Sequence, residues 1–245
     1  MPDQEGACDS ARDWYWPEWA ANANLPRFVV RDTESSHGRY ADQVKCITLK
    51  DLVKFHGHAC DGLFRGAIAL SRALRLLFPD GVVDRTDLRI LSRNSPCLGD
   101  VAAYLTGGRI RFGTQDVRDE AGVWYVVQRI SSGDAVRVAE RLGLYPPDLA
   151  AMETELVARR EASPAELDRL REAQWTWVRD VLLPADWAQA YAVTELPGYV
   201  WEAVLSSVSA FAPTSCSRTR QRSRTRQVRR RRSEGCRRTR WRSIG

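Results

Sequence analysis

Residues 55–77 read FHGHACDGLFRGAIALSRALRLL, a dense group of metal-ligating side chains joined directly to a long amphipathic run. His56 and His58 are two of the three histidines in the chain and Cys60 is one of six cysteines, so three scarce ligand types fall within five of 245 positions. Residues two apart share a face in extended chain, and all three side chains can then point one way; in a helix only His56 and Cys60 do. Either geometry converges an imidazole and a thiol. Past Gly62, residues Leu63, Ala67, Leu70, Ala73, Leu74 and Leu77 follow helical spacing, with Arg65, Arg72 and Arg75 expected to face water and Pro79 and Gly81 ending the run. Cys60 therefore precedes a helix, where unpaired amides and the positive end of the macrodipole favour a thiolate. A thiolate with a neutral imidazole suits Zn²⁺ or a similar divalent ion.

A tetrahedral site needs further ligands, and Cys97 is the best distant candidate, lying in the loop SRNSPCLGD ahead of a second short helix, DVAAYLTGG. Asp100 and Thr106, on that helix and its exit, are candidate polar contacts to a bound ligand; Asp100 equally reads as a helix cap. A lone cysteine beside a helix usually packs, and a lone histidine usually caps or hydrogen-bonds. Clustering is what shifts His56, His58, Cys60 and Cys97 towards ligation. A nucleophilic Cys60 with His56 or His58 as its base is the alternative, although no oxyanion motif or third orienting residue accompanies it. His37 is isolated, and Cys8, Cys46 and Cys236 receive no role. Phosphate-binding glycine loops, dinucleotide fingerprints and HExxH are absent.

Working outward, ITLKDLVKFHG reads as a helix with Thr48 as N-cap and a stop at Gly57. LRIL (88–91) is a short strand; RIRFG and VWYVVQRI read as two more, with the turn DEAG between them suggesting antiparallel pairing. GDAVRVAERLGL is a helix or a strand leading into one, ended by Pro146 and Pro147. Ser163, Pro164 and Glu166 form a capping box and an N1 proline ahead of the helix ELDRLREAQWTWVRDVLL, whose stripe of Leu167, Leu170, Trp177, Val178, Val181 and Leu182 reads as core. Residues 1–44 read as an aromatic-rich arm in which Trp14, Tyr15, Trp16 and Trp19 pack their rings on the domain, and residues 45–205 as the metal-binding domain.

With 44% hydrophobic residues the chain can bury a sizeable core. The acidic start and the lack of a long apolar run indicate a cytoplasmic protein without a secretory signal or membrane contact, and six scattered cysteines indicate reduced thiols. The net charge of +6 hides an asymmetry: thirteen arginines and one acid between Arg218 and Arg242 carry about +12, leaving the rest of the chain at about −6. Nucleic-acid binding is therefore not expected of the body. The lysine-free, arginine-rich stretch 206–245 is expected to be disordered alone. It reads as a shifted reading frame first, then as a phosphate-binding extension or a plain solvated one. An intact frame with the same tail in close relatives would sink the first reading.

The signature FHGHACDGLFRGAIALSRAL resembles the opening of the FmdE family, associated with molybdenum or tungsten formylmethanofuran dehydrogenase, whose usual form is FHGHxCPGLxxG followed by a helix. SPCLGDVAAYLTGG and RREASPAELDRLREAQWTWVRDVLLPADWAQAYAV are similar to later parts of that family, so the resemblance covers about residues 46–195. It implies an α+β fold, with helices packed on a mixed, mainly antiparallel sheet and a helical C-terminal segment. It also implies a homodimer, a bound metal, and either partnership with the molybdenum or tungsten enzyme or a small-molecule ligand held at the metal. By position, His56, His58, Cys60 and Cys97 match the motif. Asp61 replaces the usual proline, Gly108 stands where another cysteine is common, RFGTQ replaces a GKGN segment, and Cys216 and Cys236 cannot supply a zinc ribbon with two CxxC pairs.

Overall fold

The structure is a computed structural model that describes residues 15–33, 35–159 and 162–202, without the side chains of residues 35–37, 157 and 158. Trp14, the His37 side chain, and Cys8, Cys216 and Cys236 lie outside these, as does the arginine-rich stretch. The described residues belong to one compact unit, Met1–Ser209.

Among the described residues, two sheets frame this unit. In the first, β1 (Phe28–Arg31) lies between β2 (Lys45–Ile47), antiparallel, and β3 (Val82–Asp84), parallel. The second has five strands: β4 (Leu88–Arg93), β5 (Gln115–Arg118), β6 (Trp124–Arg129), β7 (Ala135–Glu140) and β8 (Tyr191–Glu195), in the order β5-β4-β6-β7-β8. Only β4 and β5 run parallel there; the other neighbours are antiparallel. This is the α+β class with mixed, mainly antiparallel sheets that the family resemblance implied.

The helices follow their sequence signals closely where caps are strong. Helix α1 (Leu49–His56) opens on Thr48, whose hydroxyl and Asp51 form a reciprocal capping box, and closes on Gly57 at φ 100°, a left-handed turn that glycine adopts without strain. Helix α2 (Asp61–Leu77) is buried along its apolar face and packs across β6 and β7. Helix α3 (Pro96–Thr106) packs on α2 and β4. Helix α4 (Pro147–Ala158) packs on α5 (Pro164–Trp177), which starts at the Ser163–Glu166 capping box and passes into a π turn, Val178–Leu182. A four-residue helix, α6 (Trp187–Ala190), leads into β8.

Several expectations change. RIRFG is a 3₁₀ turn, Ile110–Phe112, and the strand lies just beyond it as β5; β5 and β6 flank β4 instead of pairing with each other. The aromatic and β-branched content was real, but Gly113 at φ 68° breaks the extended run. GDAVRVAERLGL resolves as strand β7, whose residues Val136 and Val138 are buried between the helices and neighbouring strands. Helix α4 and strands β1 and β8 carried too little periodicity to be read. Arg65 is not turned out to water but is largely covered, in an ion-pair network with Asp61 and Glu140. In the C-terminal stripe, Leu170, Trp177, Val178 and Leu182 are buried, whereas Leu167 and Val181 are exposed. Trp16 stacks on and Trp19 tilts against the Phe64 ring of α2, and β1 joins residues of the expected arm to the body by sheet pairing.

Candidate metal centre

Three helix ends place the candidate ligands. His56 is the last residue of α1; the left-handed Gly57 then turns the chain, and Cys60 becomes the N-cap of α2. Cys97 stands in the first turn of α3, not in a loop as its sequence suggested, because Pro96 starts the helix earlier. The two helix starts converge at Gly62, where an added Cβ would lie 3.0 Å from both the Cβ and the Sγ of Cys97. No side chain larger than hydrogen fits there without moving the sulfur.

The result is a triad. Cys60 Sγ and Cys97 Sγ are 3.3 Å apart, and His56 Nε2 lies 3.9 Å from the first and 3.7 Å from the second. All three donor atoms lie within 4.8 Å of one another. A tetrahedral zinc ion with ordinary bond lengths sets its ligand atoms about 3.8 Å (S to S) and about 3.6 Å (S to N) apart. Each observed edge is within about half an ångström of these values, so the donor set fits such an ion in both chemistry and spacing. Three protein donors leave one tetrahedral position open.

The imidazole is held from behind. Its Nδ1 lies 2.7 Å from the Asp100 carboxylate, which fixes the ring with Nε2 towards the sulfurs. The His56 side chain is 5% exposed and that of Asp100 39%. Asp100 also lines an open cleft of about 750 Å³ whose wall includes Phe55 stacked on Tyr104 at 5.0 Å. Thr106, by contrast, directs its hydroxyl to the Ala102 carbonyl and accepts from the Gly108 amide, closing its own helix. His58 lies outside the triad: its ring packs at 4.6 Å from that of His56.

Charge is shared unevenly among these groups in the metal-free protein. The hydrogen bond from Cys60 and the neighbouring His56 hold the Cys97 thiol below its usual range despite burial. Its bond to Cys97, burial and the Cys97 charge push the Cys60 thiol up. Helix position alone favoured a thiolate at Cys60, but two sulfurs in contact cannot both ionise cheaply, and the nearby Asp61 carboxylate opposes charge on both. His56 is raised to about 9 by its bonds to Cys97 and Asp100, which outweigh burial. Burial and the His56 charge lower His58, which stays neutral.

The family model described as FmdE, Molybdenum formylmethanofuran dehydrogenase operon, matches residues 55–186, just over half of the chain and all of the triad. The chain belongs to the FmdE family. Among solved structures it is similar to a tungsten formylmethanofuran dehydrogenase FmdE-like protein from Syntrophus aciditrophicus, with 17% identity over 61% of this chain and 72% of that one and a TM-score of 0.39. No curated protein matches. Within the FmdE frame, the departure at Asp61 has a structural counterpart: where proline would begin α2, Asp61 instead pairs with Arg65 at 3.0 Å one turn on. Among the described residues no helix is long and apolar enough to cross a membrane.

Sequence reasoning missed the tie between this site and the C-terminal helix. Trp175 Nε1 donates to the Ala59 carbonyl at 3.3 Å, beside Cys60. Helical spacing marks Trp177 as part of the core stripe and gives Trp175 no role.

Proposed function

We propose that this FmdE-family protein binds a divalent metal ion of the zinc type through His56, Cys60 and Cys97, with one position left for water or a small ligand. The observation that carries this reading is the convergence of an imidazole and two thiols from three helix ends within 4.8 Å, with the imidazole oriented by a carboxylate. A divalent ion there supplies Lewis acidity and lowers the pKa of water at the open position. The chain's own residues do the rest. Asp100 holds the His56 tautomer, Cys97 offers a thiolate ready to ligate, and Cys60 gives up its proton on binding. The neutral His58 imidazole is the proposed protein occupant of the fourth position when no outside ligand takes it.

The family takes its description from the operon of a molybdenum formylmethanofuran dehydrogenase. We extend this to a role beside an enzyme of that molybdenum or tungsten type, with the protein acting as a homodimer. Metal analysis of the purified chain after exposure to Zn²⁺ or Co²⁺ tests the central claim. About one ion per chain is expected, lost in Cys97→Ser and Cys60→Ser, and a chain that takes up no stoichiometric ion overturns it. Light scattering tests the dimer.

A further inference from the structure

The geometry points to Trp175 as a positioning residue for the metal centre, acting from α5 on the residue before Cys60 while Arg65 holds the residue after it. This role presupposes the metal reading above and assigns it a dependence on a residue more than 110 positions downstream of Cys60.

Cys60 is the ligand least fixed by its own secondary structure. Cys97 is inside a regular helix that rests on α2 and β4, and His56 ends a capped one. His58 and Ala59 belong to neither helix nor strand, so they lack ladder bonds of their own. On one side of Cys60, the buried Ala59 offers its carbonyl to the Trp175 indole N–H at 3.3 Å. On the other side, Asp61 accepts from Arg65 at 3.0 Å. Arg65 is in turn forked onto Glu140 of β7 at 2.9 and 2.7 Å. Its guanidinium lies 4.0 Å from the centre of the Tyr145 ring and 5.9 Å from that of Trp177.

Both neighbours of Cys60 are thus held, Ala59 directly by Trp175 and Asp61 by Arg65, which Glu140 and the Tyr145 ring fix in turn. The helix changes from α to π geometry at Val178, three residues after Trp175, and π turns of this kind recur at functional sites. An indole is a rigid, one-donor group, well suited to fixing a carbonyl without competing for the metal. Outer contacts of this sort set ligand geometry and commonly alter metal affinity by about 10- to 100-fold.

Co²⁺ titration of the full chain, followed by its d–d and thiolate charge-transfer bands, provides the test. Trp175→Phe keeps the ring and removes the donor; about tenfold weaker Co²⁺ binding and a shifted charge-transfer band are expected. Asp61→Asn, which weakens the other tether, should move both readouts in the same direction and serves if Trp175→Phe does not fold. Leu167→Ala, on the exposed side of α5, should change neither. Unmutated protein that binds Co²⁺ while both Trp175→Phe and Asp61→Asn match it in affinity and spectrum overturns the positioning role alone. Unmutated protein that binds no Co²⁺ overturns the metal reading and this role together.

Discussion

Four helices of this protein begin in two different ways. At α1 and α5 the N-cap hydroxyls of Thr48 and Ser163 close reciprocal boxes with Asp51 and Glu166. At α2 and α3 the N-cap side chains, Cys60 and Ser95, make no capping hydrogen bond. The first pair satisfies its N-cap and N3 amides locally, through side chains within four residues. In the second pair, Cys60 and Cys97 occupy the start of the helix and face each other at 3.3 Å. Helix starts that serve stability are therefore separated from those that serve the site, and substitutions at the two kinds should have opposite signatures.

The comparison breaks most visibly at the sulfurs. Cys97→Ser should weaken metal binding by about 10²- to 10³-fold in a Co²⁺ titration, while circular dichroism shows the helices intact. Retention of full affinity would mean that α3 begins like any other helix. Acid should come next. Below pH 8 the metal-free centre carries protons on His56, raised to about 9, and on Cys60, so binding displaces two. Affinity should then fall about tenfold per pH unit for each proton, about 100-fold from pH 8 to 7, read by competition with a chelator.

Asp100→Asn is expected to cost about tenfold in affinity, because it loosens His56 without removing a ligand. It should also lower the His56 pKa measured by NMR below about 9, in part only, because the Cys97 contact that raises it most remains. In metal-free protein, the raised pKa means that the His56 contribution to stability is complete below about 6.5 and lost as pH rises through about 9. The Cys97 thiol, lowered to about 5 partly by the same contact, gains stability over that window and offsets the loss, so the NMR titration of His56 and not a denaturant midpoint reports the change. The smallest effect belongs to the other pair of helix starts. Thr48→Ala and Ser163→Ala should each lower stability by about 1 kcal/mol, and Ser163→Ala should leave Co²⁺ affinity unchanged.

Much of this was legible because it is local. Thr48, Gly57 and the Ser163 to Glu166 box announce helix ends through side chains that bond within four residues, and the spacing of Leu63 to Leu77 marks a buried face without knowledge of what covers it. His56, Cys60 and Cys97 could be picked out by chemistry and scarcity. Partners distant in sequence were harder. Gln115–Arg118 pairs in parallel with β4 although an intervening turn suggested a hairpin, and nothing in four residues specifies which edge they join.

The sequence by itself determined the donor types, the helix that follows them and the family, since ligand chemistry, capping and helical period are written in neighbouring residues. Tertiary structure alone decided that His56, not His58, completes the triad, that Cys97 and not Cys60 bears the negative charge, and that Arg65 and Trp175 bracket the ligand loop. Each of these depends on atoms a few ångströms apart in space and tens of residues apart in the chain, where burial and one sulfur's charge on another outweigh any local preference.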